Sequence, residues 1–279
     1  MSASKSSPDY SAWLGRTEEA QDQLSRNLIK RIAATFGEEA PAQGAALPPL
    51  WQWCFFQEPV AELLLGSDGH PARGGFLPPA DNRNRMWAGG RIEFIEPLKV
   101  GGDALRLSTI THIEEKHGRT GALLFVTVRH DYSQDGRLAI REEQDIVYRE
   151  PNPPKQSSGE AVDAGDWNET IEPTPTLLFR YSAVTFNGHR IHYDYPYVTG
   201  TEGYAGLVVH GPMIATFNLR AFCRANPNAR LRHFSYRGVR PLITPQVFSV
   251  GGRVLEPGKA QLWAGNEAGV AQSAEVLFD

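Results

Sequence analysis

Four titratable side chains crowd one connection of this chain. Phe179 to Pro212 reads FRYSAVTFNGHRIHYDYPYVTGTEGYAGLVVHGP and holds His189, His192, Asp194 and His210. Imidazoles exchange protons near neutral pH, so the chemistry open to this stretch is acid–base catalysis. Any one of these histidines, taken alone, reads as a surface or capping residue. Several of them in a single connection between ordered elements point to a site. The same stretch ends in an apolar LVVH run followed by Gly211 and Pro212. Pro in a first turn marks a helix start. A helix start also presents unpaired N–H groups and partial positive charge, suited to an oxyanion forming on a thioester carbonyl.

His189, His192 and Asp194 are also metal-ligand types at close spacing. In an extended segment, residues three apart point to opposite faces, so His189 and His192 would not converge. Proton chemistry is therefore the expectation and no metal is expected. No redox fingerprint appears either. The pairs Gly74-Gly75, Gly89-Gly90, Gly101-Gly102 and Gly251-Gly252 match no dinucleotide or phosphate-loop pattern and read as turns.

The elements that must position these groups can be read from periodicity. Asp9 to Phe36 has helical spacing through Trp13, Leu14, Leu24, Leu28, Ile29 and Ile32, and Glu58 to Leu65 reads as a short helix. Ser67 to Asn84, rich in Gly, Pro and Asn, reads as a loop. Strands are expected at Arg91–Ile95, Leu105–His112, Leu123–Asp131 and Ala139–Arg149, with Asp135-Gly136 as a hairpin turn. A second series opens with a strand at Leu177–Val184 and a helix from about Pro212 to Arg224. It continues with strands at Leu231–Val239, Gln246–Val250, Ala260–Ala264 and Ser273–Phe278.

The two series echo each other. IEFIEPLKVGG (Ile92–Gly102) and FSYRGVRPLIT (Phe234–Thr244) share a strand, Pro-Leu and a turn, and each precedes a hairpin with a glycine turn (Gly136, Gly269). This suggests an internal duplication, although any antiparallel sheet can show such spacing. The Pro-, Ser- and Gly-rich stretch between them sets the expected boundaries: one unit over 1–150, a linker over 151–165 and a second unit over 166–279.

The chain's 279 residues allow two units, and 41% hydrophobic with 22% charged residues is an ordinary globular balance. A net charge of −4 without a basic run argues against nucleic acid or an anionic membrane as partner. Two distant cysteines, no apolar N-terminal core and no long apolar run lead to the expectation of a cytoplasmic protein.

RYSAVTFNGHRIHYD (Arg180–Asp194) with GLVVHGPMIA (Gly206–Ala215) resembles the MaoC-like hydratases and dehydratases of enoyl thioesters, especially the two-hot-dog branch with mesaconyl-CoA and itaconyl-CoA hydratases. RMWAGGRIEF (Arg85–Phe94) and REEQDIVYRE (Arg141–Glu150) extend the resemblance over nearly the whole chain. It implies an α+β double hot-dog fold, a long helix wrapped by an antiparallel sheet twice over, with an acyl-CoA held between the halves as substrate and no cofactor. In that family an Asp and a His five residues apart hold the reacting water. The histidine position here is His192, and Asn187 stands at the aspartate position. Either His192 works with Asn187, or Asp194 supplies the carboxylate.

The expected reaction is hydration of a short dicarboxylic enoyl-CoA, itaconyl-CoA or mesaconyl-CoA to citramalyl-CoA. The thioester oxygen would meet Gly211, with His210 and Tyr181 lining the substrate. Arg85 or Arg180 would meet the free carboxylate, and Trp87 would wall the acyl pocket or fill the core. Arg237 and Arg240 are weaker candidates for the phosphates of CoA, being as readily strand-end charges. The N-terminal half would shape the pocket without chemistry of its own. Competing readings are a dehydratase of longer hydroxyacyl thioesters, an acyl-CoA thioesterase and a non-catalytic acyl-thioester binding module. A homodimer paired through sheet edges is compatible with all of them.

Overall fold

The computed structural model describes residues 9–72, 75–80, 83–118, 121–150 and 160–279. Among them, strands β1 (Thr17–Gln23), β2 (Asn84–Phe94), β3 (Asp103–Gly118), β4 (Gly121–Gln134) and β5 (Arg137–Arg149) precede the stretch read as a linker. Strands β6 (Trp167–Ile171), β7 (Leu231–Gly238), β8 (Phe248–Glu256), β9 (Lys259–Asn266) and β10 (Gly269–Phe278) follow it. Residues 151–159 of that stretch lie outside the described residues. The helices are α1 (Arg26–Phe36), α2 (Pro175–Val184), α3 (Tyr195–Gly200) and α4 (Gly211–Ala225).

The strands form one antiparallel sheet in the order β1-β3-β4-β5-β2-β7-β10-β9-β8-β6. Counted outward from the β2–β7 seam, the two halves have the same connectivity. Each begins with its outermost strand (β1, β6), continues through a helix (α1, α2) to the seam strand (β2, β7), and then crosses to the second-outermost strand (β3, β8) and returns by two hairpins. The Pro-Leu echo holds in detail. Leu98 and Leu242 are both buried, and each carbonyl accepts a backbone N–H from the segment crossing below it, Leu47 at 2.7 Å and Val209 at 2.9 Å. Asp135 and Gly136 both take positive φ (52° and 74°), as a two-residue hairpin turn between twisted strands requires.

The halves differ where the long helix belongs. After Val209 come His210 and the 15 residues of α4. After Leu47, its counterpart, come Pro48, Pro49 and a single 3-10 turn, Trp51–Cys54. The expectation of a long wrapped helix in both halves is therefore corrected: among the described residues, the position that α4 occupies in the C-terminal half carries a 3-10 turn in the N-terminal half. Proline removes the N–H that a helix interior needs, and two in succession leave a turn. α4 is buried on nearly all sides, from Met213 and Phe217 to Phe222, and lies against β6, β8, β9 and β10. α1 packs against α2, and Phe36 meets Tyr181 and Phe217 edge-on.

Two further elements depart from the periodicity reading. Asp9–Phe36 is not one helix, because Thr17–Gln23 pairs with β3 as an edge strand before α1 begins. Its polar sequence, with only Ala20 buried, carries no strand signature; pairing with a neighbour decides it. Leu177–Val184 lies in helix α2, not a strand. Thr174 caps α2 by accepting the Leu177 N–H at 3.1 Å and Pro175 occupies its first turn, whereas a short apolar run alone fits either element. Glu58–Leu65 supplies one 3-10 turn, Glu62–Leu64.

The seam depends on close backbone approach. A Cβ on Gly89 would sit 2.4 Å from the Tyr236 carbonyl oxygen, and one on Gly90 2.8 Å from that of Glu143. We predict that Gly89→Ala forces the seam apart and costs about 1–3 kcal/mol, the usual range for overpacking. A denaturant midpoint equal to that of the wild type would refute this.

Candidate active site

A cleft of about 1720 Å³ opens between the halves. The C-terminal half lines it with Asn187, His189, His192, His210 and Gly211, and the N-terminal half with Trp53, His70, Arg85, Trp87, His130 and Gln144, among others.

His192 is the most constrained of these groups. It lies in a 3-10 turn, Arg190–His192, reached from α2 through Phe186, whose φ is +49°. The ring is 7% exposed, and its Nδ1 sits 2.7 Å from the carbonyl oxygen of Val208. A carbonyl only accepts, so Nδ1 carries the proton and Nε2 is left as the basic atom. The ring stacks on His210 with centroids 3.6 Å apart and planes at 18°. His210 is fixed in turn by Ser182 Oγ, 2.8 Å from its Nε2. Burial pushes His192 down to about 4, against the opposing pull of the Val208 bond and with a small contribution from His70. Burial likewise holds His210 well below its ordinary value, helped by the neighbouring His192 and His189. Both rings are therefore neutral at pH 7.

Asn187 lines the cleft, and its Oδ1 accepts the backbone N–H of His189 at 3.0 Å, which leaves the amide NH2 as its remaining donor. Gly211 is the first residue of α4, and its N–H has no acceptor within the helix. Gly211 lines the cleft, and a Cβ built there meets nothing within 4 Å. Tyr181 is buried beside His210, ring centroids 4.8 Å apart. Trp87 donates its indole N–H to the Gly89 carbonyl at 3.0 Å and packs edge-on against Trp53 on the cleft wall. Arg85 also lines the cleft and makes no ion pair with another described residue.

Two expected site residues fall outside the cleft. The Asp194 carboxylate is engaged at both oxygens: Oδ1 accepts the Tyr197 N–H at 3.1 Å, capping α3, and Oδ2 pairs with Arg190 at 2.8 Å. That corrects the idea that it supplies the missing carboxylate. Arg180 is exposed and reaches the Ala34 carbonyl, whereas Arg85 lines the cleft. Arg237 is exposed as well, and Arg240, although on the cleft wall, is bound to Asn266 and Gly269.

Sequence reasoning missed Asp68 and His70. The His70 ring lies 4.2 Å from that of His189, tilted by 43°, and His189 stands 5.4 Å from His192, so four rings form a row (His70, His189, His192, His210). An Asp and a His two apart in a loop rich in Gly and Pro was the available signal. Asp68, His70 and His189 each bring a donor atom within 4.8 Å of the others, close enough to share a cation. The carboxylate, however, is already bonded to His70 Nδ1 at 3.2 Å. Among the described residues no helix is long and apolar enough to cross a membrane.

The family model for hydroxyacyl-thioester dehydratase type 2 matches residues 50–244. A mesaconyl-C(4)-CoA hydratase of Chloroflexus aurantiacus is 46% identical over 244 residues, 85% of this chain and 86% of the relative. Among solved structures, a MaoC-like dehydratase from Phytophthora capsici superposes with a TM-score of 0.71 at 14% identity, covering 95% of this chain and 96% of the other. A Mycobacterium tuberculosis protein described as a double hotdog fold gives 0.57 at 13%, covering 95% and 96%. The fold is thus the double hot-dog of MaoC-like dehydratases. The chain belongs to the hydroxyacyl-thioester dehydratase type 2 family and is a hydratase or dehydratase of acyl thioesters.

Two predictions follow from the geometry. Asp194→Ala should cost about 1 kcal/mol through the lost cap while keeping far more activity than any change at His192; equal inactivation would overturn the structural role. The buried histidines also set an acid dependence. His192 and His130 are held near 4 and 3 in the folded chain, chiefly by burial, below the ordinary 6.5. The unfolded chain therefore binds protons first as the pH falls, so stability is intact above about 6.5 and declines toward 4. Urea midpoints at pH 7 and pH 5 measure this, and an unchanged midpoint would contradict it.

Proposed function

We propose that this protein hydrates the double bond of a short dicarboxylic enoyl-CoA, of the mesaconyl-CoA or itaconyl-CoA type, with His192 as the base. The observation that carries the reading is the His192 ring. It is tautomerically fixed by Val208, neutral, and placed on the cleft that also contains the free N–H at the head of α4. In the proposed step, written for the conjugated double bond of mesaconyl-CoA, the thioester oxygen accepts a hydrogen bond from the Gly211 N–H, which draws electrons from the β-carbon. His192 Nε2 takes a proton from a water held by the Asn187 amide. The water oxygen bonds to the β-carbon, and the α-carbon then gains a proton.

A dicarboxylic acyl group needs a cation for its free end, and a guanidinium suits a carboxylate. Arg85 fills that part. It lies near enough to His189 for its charge to act on that ring. The 46% identity to a mesaconyl-C(4)-CoA hydratase supports the same substrate class. Phe179, Phe186 and Tyr193, exposed at the cleft rim, offer surface for the CoA arm.

The test is a substrate panel of itaconyl-CoA, mesaconyl-CoA and crotonyl-CoA followed by mass spectrometry. The dicarboxylic substrates should gain water, and His192→Ala should lower turnover about 10²–10⁴-fold, the usual contribution of acid–base catalysis. Arg85→Gln should raise KM for the dicarboxylic substrates and leave crotonyl-CoA unaffected. Release of free CoA in place of hydration would move the assignment to thioester hydrolysis.

A further inference from the structure

A polar pair lies in the apolar interface between α4 and the sheet. Gln272, on β10, is 2% exposed, and Asn218 of α4 is fully buried. The sheet positions that share the face of Gln272 are Ala264 opposite it, then Leu262, Ala274 and Val276, all buried and apolar. Gln272 Nε2 donates to the Gly211 carbonyl at 3.1 Å, and its Oε1 accepts from Asn218 Nδ2 at 3.1 Å. One side chain thus ties the first residue of α4 to a residue two turns further on.

Stability does not account for this pair. Helix geometry already supplies the Gly211 carbonyl with an N–H from four residues on, so the Gln272 bond is an additional one. Asn218 Oδ1 has no partner. A buried polar network left partly unsatisfied stabilises a fold less than apolar packing of the same shape. The strand is nonetheless bent to deliver it. The pairing of β10 with β9 shifts register between Val270 and Gln272, and a bulge of that kind re-aims the side chains beside it.

What the pair restrains is a glycine. Gly211 opens α4, and no side chain caps the helix at His210. No protein atom lies within 4 Å of a Cβ built on Gly211, so packing does not demand glycine there. Glycine also has more backbone freedom than any other residue. The peptide between His210 and Gly211 carries the N–H that meets the thioester oxygen in the step described above. On its first side this peptide is held through His210, whose ring sits 2.8 Å from Ser182 Oγ and stacks on His192. On its second side the freedom of Gly211 is restrained by the Gln272 bond to its carbonyl.

We infer that Gln272, with Asn218 behind it, is a positioning residue of the reaction, holding the Gly211 carbonyl so that the Gly211 N–H stays aimed at the thioester oxygen. This rests on the hydratase reading above. A donor stabilises an oxyanion only where charge develops, and a small rotation of the peptide swings the N–H off that point. Losing such a donor outright costs about 10²–10³ in kcat; losing its aim leaves the donor present and should cost about 10-fold.

The experiment compares wild type with Asn218→Leu/Gln272→Met, which removes both polar partners together, and with Gln272→Met alone. Turnover is measured on the same enoyl-CoA panel. The thioester carbonyl stretch is read by infrared spectroscopy on bound methylsuccinyl-CoA, a saturated analogue labelled with 13C at that carbonyl. In wild type, binding should lower the stretching frequency. The double variant should lose part of that shift and about 10-fold in kcat, with KM and the urea midpoint close to those of wild type. If the double variant fails to fold, Gln272→Met decides by the same two readings. A folded variant with wild-type kcat and carbonyl frequency would overturn the inference and leave the hydratase reading intact. So would a loss of kcat with the frequency unchanged, which would make the pair merely structural. A wild-type protein that hydrates none of the thioesters would overturn both.

Discussion

The seam between β2 and β7 is the constraint from which the rest of the molecule follows. Gly89 to Glu93 pair with Arg237 to His233, joining two five-stranded units into one curved sheet. Because the seam is continuous backbone pairing, the walls of the cleft cannot shift independently. The wall from the N-terminal half, with Trp87 and Arg85 on β2 itself, faces the histidine row at a fixed spacing. The glycine contact between residues 69 and 188, both on the cleft lining, is a second close backbone approach between the halves.

Across that seam the halves share a topology and divide the labour. In the C-terminal half the first residue of the long buried helix, Gly211, lines the cleft beside the neutral, buried imidazoles of His192 and His210. The N-terminal half has a single turn at the equivalent position, and residues of that turn, Gln52 and Trp53, line the cleft. Beneath them Glu142 is fully buried and accepts hydrogen bonds from Trp53, Tyr132 and Gln144. Burial outweighs those bonds and raises its pKa. On this side the Glu142 carboxylate is therefore satisfied from within the protein, whereas the buried amide of Gln52 has no hydrogen-bond partner.

Much of this was legible in the sequence, for identifiable reasons. Hairpin strands announced themselves through alternation and the Asp135-Gly136 turn, and α4 through its Gly-Pro start and apolar run. The His192 and Gly211 motif was legible because both residues lie in one connection. What escaped depended on contacts distant in sequence or on ambiguous composition. β1 is polar and becomes a strand only by pairing with β3. α2 shows the same apolar run a strand would, and only Thr174-Pro175 tells them apart. Asp68 and His70 sit more than a hundred residues before His189, in a loop without periodicity, so no local pattern could connect them. Asp194 misled for the opposite reason, being close in sequence yet bonded to Arg190 and to the first turn of α3.

Carrying both halves on one polypeptide has a consequence beyond geometry. In a symmetric pair of identical units every substitution appears twice, so a change that widens one pocket also damages the catalytic apparatus of the other. Here Pro48-Pro49 can stand where the second half has His210-Gly211 without any loss at His210-Gly211 itself. Covalent fusion releases the molecule from its own symmetry, and one unit can give up its helix for the benefit of the other's substrate.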